Sequence, residues 1–372
     1  MKQGAVAVVA VGDLARSPRM LNHARELARS GRTVCLVGLR ERDFHPPAGA
    51  SVSPLRSWRT IGAWGICGAA VRMGLTFCQL LAVLVRRRPA AILVQNPPTF
   101  PTLAAAWISA GILRARLIVD WHNYGYSMLA LRLGADHAIT RLAARHEGWI
   151  ARRAAAHFCV SQAMQTDLGS RFAIRAAVLY DRPVEFLQPT FESARLIAVC
   201  PAGWTADEDI PLLLDALELT AAREIEIHLT GDGPLRAPCE PRIAALRAAG
   251  WTIRTGFLNE KDYRALLARC HFGLSLHRSS SGVDLAMKVV DLFAAGVPVC
   301  ALDYGGALRE QVRDGETGFL FRTAAELAGQ LDRIRREPSL LVPMRDRIRE
   351  FWSTTWSDEW RRVAAPVFEE AM

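Results

Sequence analysis

Apolar runs recur along the chain, each closed by glycine, proline or small polar residues, with helical spacing in the intervals. Ala5–Val11 is apolar throughout, as a parallel strand buried on both faces must be. The Gly12–Arg19 turn follows, with Ser17 placed to cap a helix and Pro18 at its first position. That helix, Arg19–Ser30, stops at Gly31, and Thr33–Gly38 reads as the next strand. The β-α-β alternation predicts a doubly wound parallel sheet. Residues 41–60 read as a loop containing proline and arginine. Ile61–Val85 is strongly apolar, but Arg72 cuts the run below the ~20 residues that a spanning helix needs. Two readings stay open for it: a buried helix of the first domain, or one that also lays an apolar, arginine-flanked face on a membrane surface. Phe100–Leu113 is a second apolar stretch.

The alternation continues through strands at Ala91–Gln95, Leu117–His122 and His157–Val160, with a helix over Ile139–Ala155. Periodicity lapses over Pro183–Glu192, which reads as a linker. A second β/α series then opens at Ile197–Cys200 and runs through Ile210–Leu219, Ile225–Thr230, Trp251–Gly256, Glu260–Arg269 and Phe272–Leu276. After Phe321 the pattern is helical. The chain thus divides into Rossmann-like domains over residues 1–186 and 187–350, with a C-terminal helix, 351–372, expected to pack back on the first. Trp352, Trp356 and Trp360, spaced i, i+4 and i+8, predict one buried aromatic stripe.

Composition narrows the function. With 51% hydrophobic and 22% charged residues over 372 positions, the chain is globular and long enough for two cores. The net charge of +9 comes from arginine spread along the sequence. No basic block is interleaved with aromatics, which disfavours nucleic acid and leaves phosphorylated substrates or anionic lipid. The 8 cysteines form no CxxC pair, which fits a reducing compartment and hence cytoplasmic exposure. The short apolar start lacks a cleavage site and reads as a core strand, not a signal peptide. Only Gly12 stands where a dinucleotide fingerprint needs three glycines, so nicotinamide binding is disfavoured.

The candidate chemistry lies at strand ends, where open α/β sheets bind ligands. Asp120, Trp121, His122 and Asn123 cluster at one such end. In His277–Val299, Leu285, Val289, Leu292 and Phe293 share one helical face, while Asp284, Lys288 and Asp291 share another. The loop Ser279, Ser280, Ser281, Gly282 feeding that helix suits a diphosphate. Gly203 and Trp204 stand in a turn expected to bind the donor, and Gly231 and Gly233 in another turn allow close backbone approach. Lys288 would neutralise the leaving phosphate and Asp291 would take ribose hydroxyls. Asp284 would serve the sugar or the loop amides, or simply cap the helix. The acidic triplet Asp207-Glu208-Asp209 opens a helix, where it stabilises the dipole without any metal. These features specify a nucleotide-diphosphate-sugar site.

Val11–Met20, Asp120–Tyr126, Trp204–Asp209 and His277–Val299, in that order, resemble the chitobiosyldiphosphodolichol β-mannosyltransferase family over nearly the whole chain. The resemblance implies a GT-B glycosyltransferase, two Rossmann-like domains facing each other across a cleft. It implies GDP-mannose as donor, inversion, no metal or cofactor, and a lipid-pyrophosphate-linked glycan acceptor at the cytoplasmic membrane face. Ser279–Asp291 becomes the donor site, and the Gly12–Arg19 loop, including Ser17, faces the acceptor together with Asn123 and Tyr124. Arg16 and Arg19 would hold its pyrophosphate. Glu147 ranks first as the general base, ahead of Asp120 and His122, with Asp120 alternatively orienting His122. Unlike eukaryotic members this sequence starts directly at its first strand, so attachment is expected to be peripheral. Its Ala/Arg-rich composition looks bacterial, which makes a polyprenyl-linked surface-polysaccharide glycan an equal acceptor. Two alternatives remain: a hexosyltransferase using another nucleotide sugar, and a non-catalytic sugar-nucleotide-binding scaffold.

Overall fold

The computed structural model describes residues 4–41, 44–58, 65–190 and 195–369. The chain forms two compact units, Met1–Tyr180 with Trp356–Met372, and Asp181–Thr355. In the first, the order is β1 (Val6–Asp13), α1 (Pro18–Arg29), β2 (Val34–Leu39), β3 (Ala50–Leu55), α2 (Gly65–Arg87), β4 (Ala91–Asn96), α3 (Ala104–Leu113) and β5 (Arg116–Trp121). It continues with α4 (Gly125–Leu133), α5 (Ala138–Ala151), β6 (Ala156–Cys159), α6 (Gln162–Phe172) and β7 (Ala177–Val178). The second unit holds β8 (Ile197–Pro201), α7 (Ile210–Leu219), β9 (Glu226–Thr230), α8 (Arg236–Ala248), β10 (Thr252–Gly256), α9 (Glu260–Arg269) and β11 (Phe272–Ser275). Then come α10 (Met287–Ala294), β12 (Val299–Leu302), α11 (Gly306–Gln311), β13 (Gly318–Phe321), α12 (Ala324–Arg336) and α13 (Leu341–Phe351). Finally α14 (Trp356–Val363) and α15 (Ala365–Glu369) return to the first unit.

Both sheets are parallel throughout, in the orders β3-β2-β1-β4-β5-β6-β7 and β10-β9-β8-β11-β12-β13. The central strands read as unbroken apolar runs because helices cover them on both faces; Val6–Val9 and Ile197–Val199 are buried. The order of strands reverses between β1 and β4 in one sheet and between β8 and β11 in the other. Those two switch points, at the carboxyl ends of the strands, are where such sheets take ligands.

Three expectations change. Residues 41–60 are not all loop: β3 lies at the sheet edge, where Pro54 is tolerated because no further strand needs its missing N–H. The three tryptophans do not form one helical stripe, since α13 ends at Phe351 and α14 begins at Trp356. Trp352 packs on Phe293 in the second unit, whereas Trp356 and Trp360 are buried in the core of the first. Pro18 does open α1, but the Ser17 hydroxyl donates to the Asp13 carbonyl instead of capping it. Residues 61–64 of the apolar stretch and 191–194 of the linker region lie outside the described residues.

Candidate functional site

In the first unit the site is built around Asp120, the penultimate residue of β5, next to the switch point. Its carboxylate is fully buried. Arg19 grips it with a fork, Nε to Oδ2 at 2.8 Å and Nη2 to Oδ1 at 2.8 Å. The third arm of the same guanidinium donates to the Leu179 carbonyl at 2.9 Å. His122 Nε2 lies 2.9 Å from Oδ2, and His23 Nε2 lies 3.3 Å from it. Burial alone would raise the Asp120 pKa, but Arg19 and the two histidines overcome it and hold the carboxyl well below the usual carboxylate range. An ionised Asp120 can only accept, so the His122 proton resides on Nε2 and its Nδ1 carries a free lone pair. The His122 side chain is 23% exposed, which leaves it reachable by substrate. The contact fixes the orientation of His122 against Asp120 and leaves the outer edge of the imidazole accessible.

Three residues expected to touch substrate, Arg19, Glu147 and Tyr124, make internal contacts instead. Arg19 is buried and spent on Asp120 and Leu179, so it cannot hold the acceptor pyrophosphate without abandoning a buried carboxylate. Arg16 is exposed in the same loop and pairs with no carboxylate of a described residue; together with Gly12 and Ser17 it keeps the acceptor-facing role within reach. Glu147, ranked first as base, is fully buried on α5. It accepts from Asn96 Nδ2 at 2.6 Å and from the backbone N–H groups of Gly125 and Tyr126 at 3.0 and 3.1 Å. Burial pushes its pKa up, against those hydrogen bonds. Glu147 therefore anchors the start of α4 to the end of β4, an internal N-terminal cap. Tyr124 is buried too, its hydroxyl donating to Asp167 Oδ2 at 2.7 Å. The Asn123 side-chain oxygen Oδ1 accepts from Tyr124 N and the Ser127 hydroxyl.

Nothing in the sequence pattern marks His23, and the pattern marks Trp360 only as a member of the tryptophan stripe. The Trp360 indole N–H donates to His23 Nδ1 at 3.0 Å. An indole can only donate, so the His23 proton sits on Nε2, facing Asp120. Helix α14 thus reaches the site through one buried imidazole, whose pKa burial lowers. The unfolded chain therefore takes up this proton and the folded one resists it, so stability is lost as pH falls through the ordinary histidine value. Replacing His23 with glutamine is expected to flatten that loss, by up to roughly 1 kcal/mol per pH unit below about 6.5. Urea titrations at several pH values check it, and an unchanged slope would place the sensitivity elsewhere.

In the second unit the switch point brings together the turns after β8 and β11, joined by an antiparallel bridge between Glu208 and His277. The acidic triplet separates into three tasks. Asp209 caps α7 through Leu212 N at 3.2 Å and pairs with Arg278. Asp207 stands 3.7 Å from His277. Glu208 turns inward, accepts from the N–H groups of Gly203 at 2.5 Å and Trp204 at 3.1 Å, and forms an ion pair with Lys288. Two backbone donors and one ammonium around a single carboxylate make a ready anion site. No element of the sequence pattern marked Glu208 for that role.

The serine loop is internally bonded. Ser279 Oγ donates to Asp284 and accepts from Gly282 N at 2.6 Å and Ser281 N at 3.2 Å. Asp284 also meets His277 Nε2 at 2.9 Å. Because α10 starts only at Met287, Asp284 and Leu285 precede the helix; the shared faces expected for Asp284, Lys288 and Asp291, and for Leu285 with the apolar positions, hold only from Met287 onward. Asp284 closes the loop rather than capping the helix. Asp291 accepts from Tyr263 at 3.3 Å, and its crowded surroundings push its carboxyl up to about 6 although the residue keeps an exposed edge. Gly231 and Gly233 do serve close approach, but to the neighbouring turn. A Cβ on them would stand 1.9 Å from Ala202 O and 2.1 Å from Gly203 O.

Comparison with known proteins places both halves. Residues 17–180 match the family described as Glycosyl transferase 4-like domain, and residues 194–337 match Glycosyl transferases group 1. Chitobiosyldiphosphodolichol beta-mannosyltransferase of Mus musculus is 33% identical, over 97% of this chain and 88% of its own. UDP-glycosyltransferase TURAN of Arabidopsis thaliana is 31% identical, over 100% of this chain and 98% of its own. Among solved structures, sucrose-phosphate synthase of Thermosynechococcus elongatus aligns over 99% of both chains with a TM-score of 0.78 at 13% identity, a likeness of fold.

Proposed function

The chain belongs to the chitobiosyldiphosphodolichol beta-mannosyltransferase family of GT-B glycosyltransferases, and from that premise we propose that it transfers mannose from GDP-mannose, with inversion, to a lipid-pyrophosphate-linked glycan. The observation that carries the mechanism is the Asp120–His122 pair. His122 Nδ1 takes the proton of the acceptor hydroxyl as its oxygen bonds to the anomeric carbon. The bond from that carbon to the diphosphate oxygen breaks, and GDP leaves with its electron pair. Asp120 holds His122 in the reactive tautomer and balances the imidazolium that forms. Lys288, with the N–H groups of Gly203 and Trp204, stabilises the departing diphosphate. Asp291 is assigned to the ribose, the Ser279–Gly282 loop to the donor, and Arg16 to the acceptor pyrophosphate. The reaction belongs at the cytoplasmic face of a membrane, where such acceptors present their head groups.

The test is transfer to a chitobiosyl-pyrophosphoryl-lipid acceptor, with the new linkage read by NMR. A β-mannoside formed from GDP-mannose supports the proposal. An α-linked product, or no transfer with GDP-mannose while a UDP-sugar is turned over, overturns it. The second outcome has its own motive, since one full-length relative is named a UDP-glycosyltransferase.

The diphosphate and the Glu208 carboxylate need the same donors. Replacing Glu208 with glutamine is therefore expected to tighten GDP roughly tenfold, the equivalent of ~1.4 kcal/mol, as measured by calorimetry. Weaker binding would show that Glu208 serves mainly to hold the turn in shape.

A further inference from the structure

Arginine is spread along the chain, but its excess is not. Residues 61–155 contain eleven arginines and three acids, so this quarter of the sequence carries eight of the nine net positive charges. Two of those acids, Asp120 and Glu147, are buried. None of the eleven arginines pairs with a carboxylate of a described residue, although Arg242, Arg278 and Arg322 in the second unit all do.

The same stretch concentrates exposed apolar side chains. Ten of the sixteen large hydrophobic residues exposed among the described residues fall between Val71 and Trp149. They belong to one connected layer. Phe77 of α2 stacks on Phe100, Phe100 meets His146 of α5, and Trp107 of α3 meets Trp149 of α5. Helices α4 and α5 pack on each other, and the end of α4 exposes Leu131 and Leu133 while the start of α5 exposes Ile139 and Leu142. Arg132, Arg141 and Arg145 stand among these side chains and are exposed.

Helix α2 fits the same reading. Gly68–Arg87 is long and apolar enough to cross a membrane by length and composition, yet only 17% of it is buried in the protein. Its inner face is fixed by Leu80 and Leu84, both fully buried, and Arg87 is tied to Ser53 of β3. A helix held along one side by its own domain leaves its outer, apolar face available to an interface.

We propose that α2, α3, α4 and α5 form a docking surface for an anionic lipid bilayer, with the end of α4 and the start of α5 inserting their exposed apolar side chains as a tip and the surrounding arginines contacting lipid phosphates. Cations without a carboxylate partner among the described residues, beside exposed leucines, match a surface that is negative outside and apolar beneath. The idea deepens the reading of a lipid-linked acceptor, but its test uses neither donor nor acceptor, so either can fail alone.

The test is flotation of the full chain with vesicles of phosphatidylcholine alone or with phosphatidylglycerol. Leu131 and Leu142 are each 66% exposed, so L131E/L142E should fold with an unchanged melting temperature. The wild type is expected to float with anionic vesicles at least tenfold better than with neutral ones. L131E/L142E is expected to lose that binding, and R132Q/R141Q/R145Q to weaken it. A wild type that stays unbound, or a leucine variant that floats as well as the wild type, overturns the proposal. So does gel filtration showing a dimer that the leucine variant splits, with vesicle binding unaltered, because the apolar tip would then cover a second copy of the chain.

Discussion

Replacing His122 with alanine is expected to lower kcat by a factor of roughly 10² to 10⁴, the usual contribution of a positioned general base. Donor affinity and melting temperature should stay near those of the wild type. His122 is partly exposed, and the groups proposed for the donor diphosphate are on other residues, Gly203, Trp204 and Lys288. Glu147→Gln should show the opposite split. Glu147 bonds Asn96, Gly125 and Tyr126 and touches no open surface, so its loss should be felt in stability, with turnover per folded molecule largely kept. Paired measurements of kcat and of melting temperature on the two variants separate the roles. A His122→Ala enzyme that retains a tenth or more of its turnover would remove His122 as the base.

The contrast between those residues shows what a sequence can and cannot carry. Asp120 and His122 at a strand end and Glu147 on a helix are equally visible as polar residues, and nothing in their spacing says which side chain faces inward. Glu147 sits one position from His146 on a helix whose moment is modest; only the fold reveals that α4 begins against it. Arg19 looks like a loop cation because the loop is legible, while the carboxylate it meets lies 101 positions away. The switch points, by contrast, were legible, because buried parallel strands must be apolar runs and the turns after them must be irregular. Gly203, Trp204 and Lys288 were singled out that way. Glu208 was not, since an acid at a helix start has a sufficient local explanation, and the local explanation holds for its neighbour Asp209 instead. The tryptophan spacing misled for a related reason: helical periodicity continued across a break that carries the chain from one unit to the other.

The electrostatics of that overlooked glutamate lead to the other large effect. Lys288 is the cation paired with buried Glu208, and burial lowers its pKa. Replacing it with methionine keeps the length of the side chain but leaves Glu208 with only the N–H groups of Gly203 and Trp204 for support. An arriving diphosphate would then meet a carboxylate with no cation between them. Lys288→Met is expected to lower kcat/KM by roughly 10² to 10³, comparable with the loss of one preorganised stabiliser of developing charge, and to weaken GDP in calorimetry. Adding Glu208→Gln removes the repulsion without restoring the cation. The double variant should therefore recover much of the GDP affinity while kcat stays low, because the ground state needs the repulsion gone and the transition state needs the positive charge. If kcat returned along with affinity, Lys288 would be a counterion to Glu208 and nothing more, and the charge on the leaving diphosphate would have to be met by other residues.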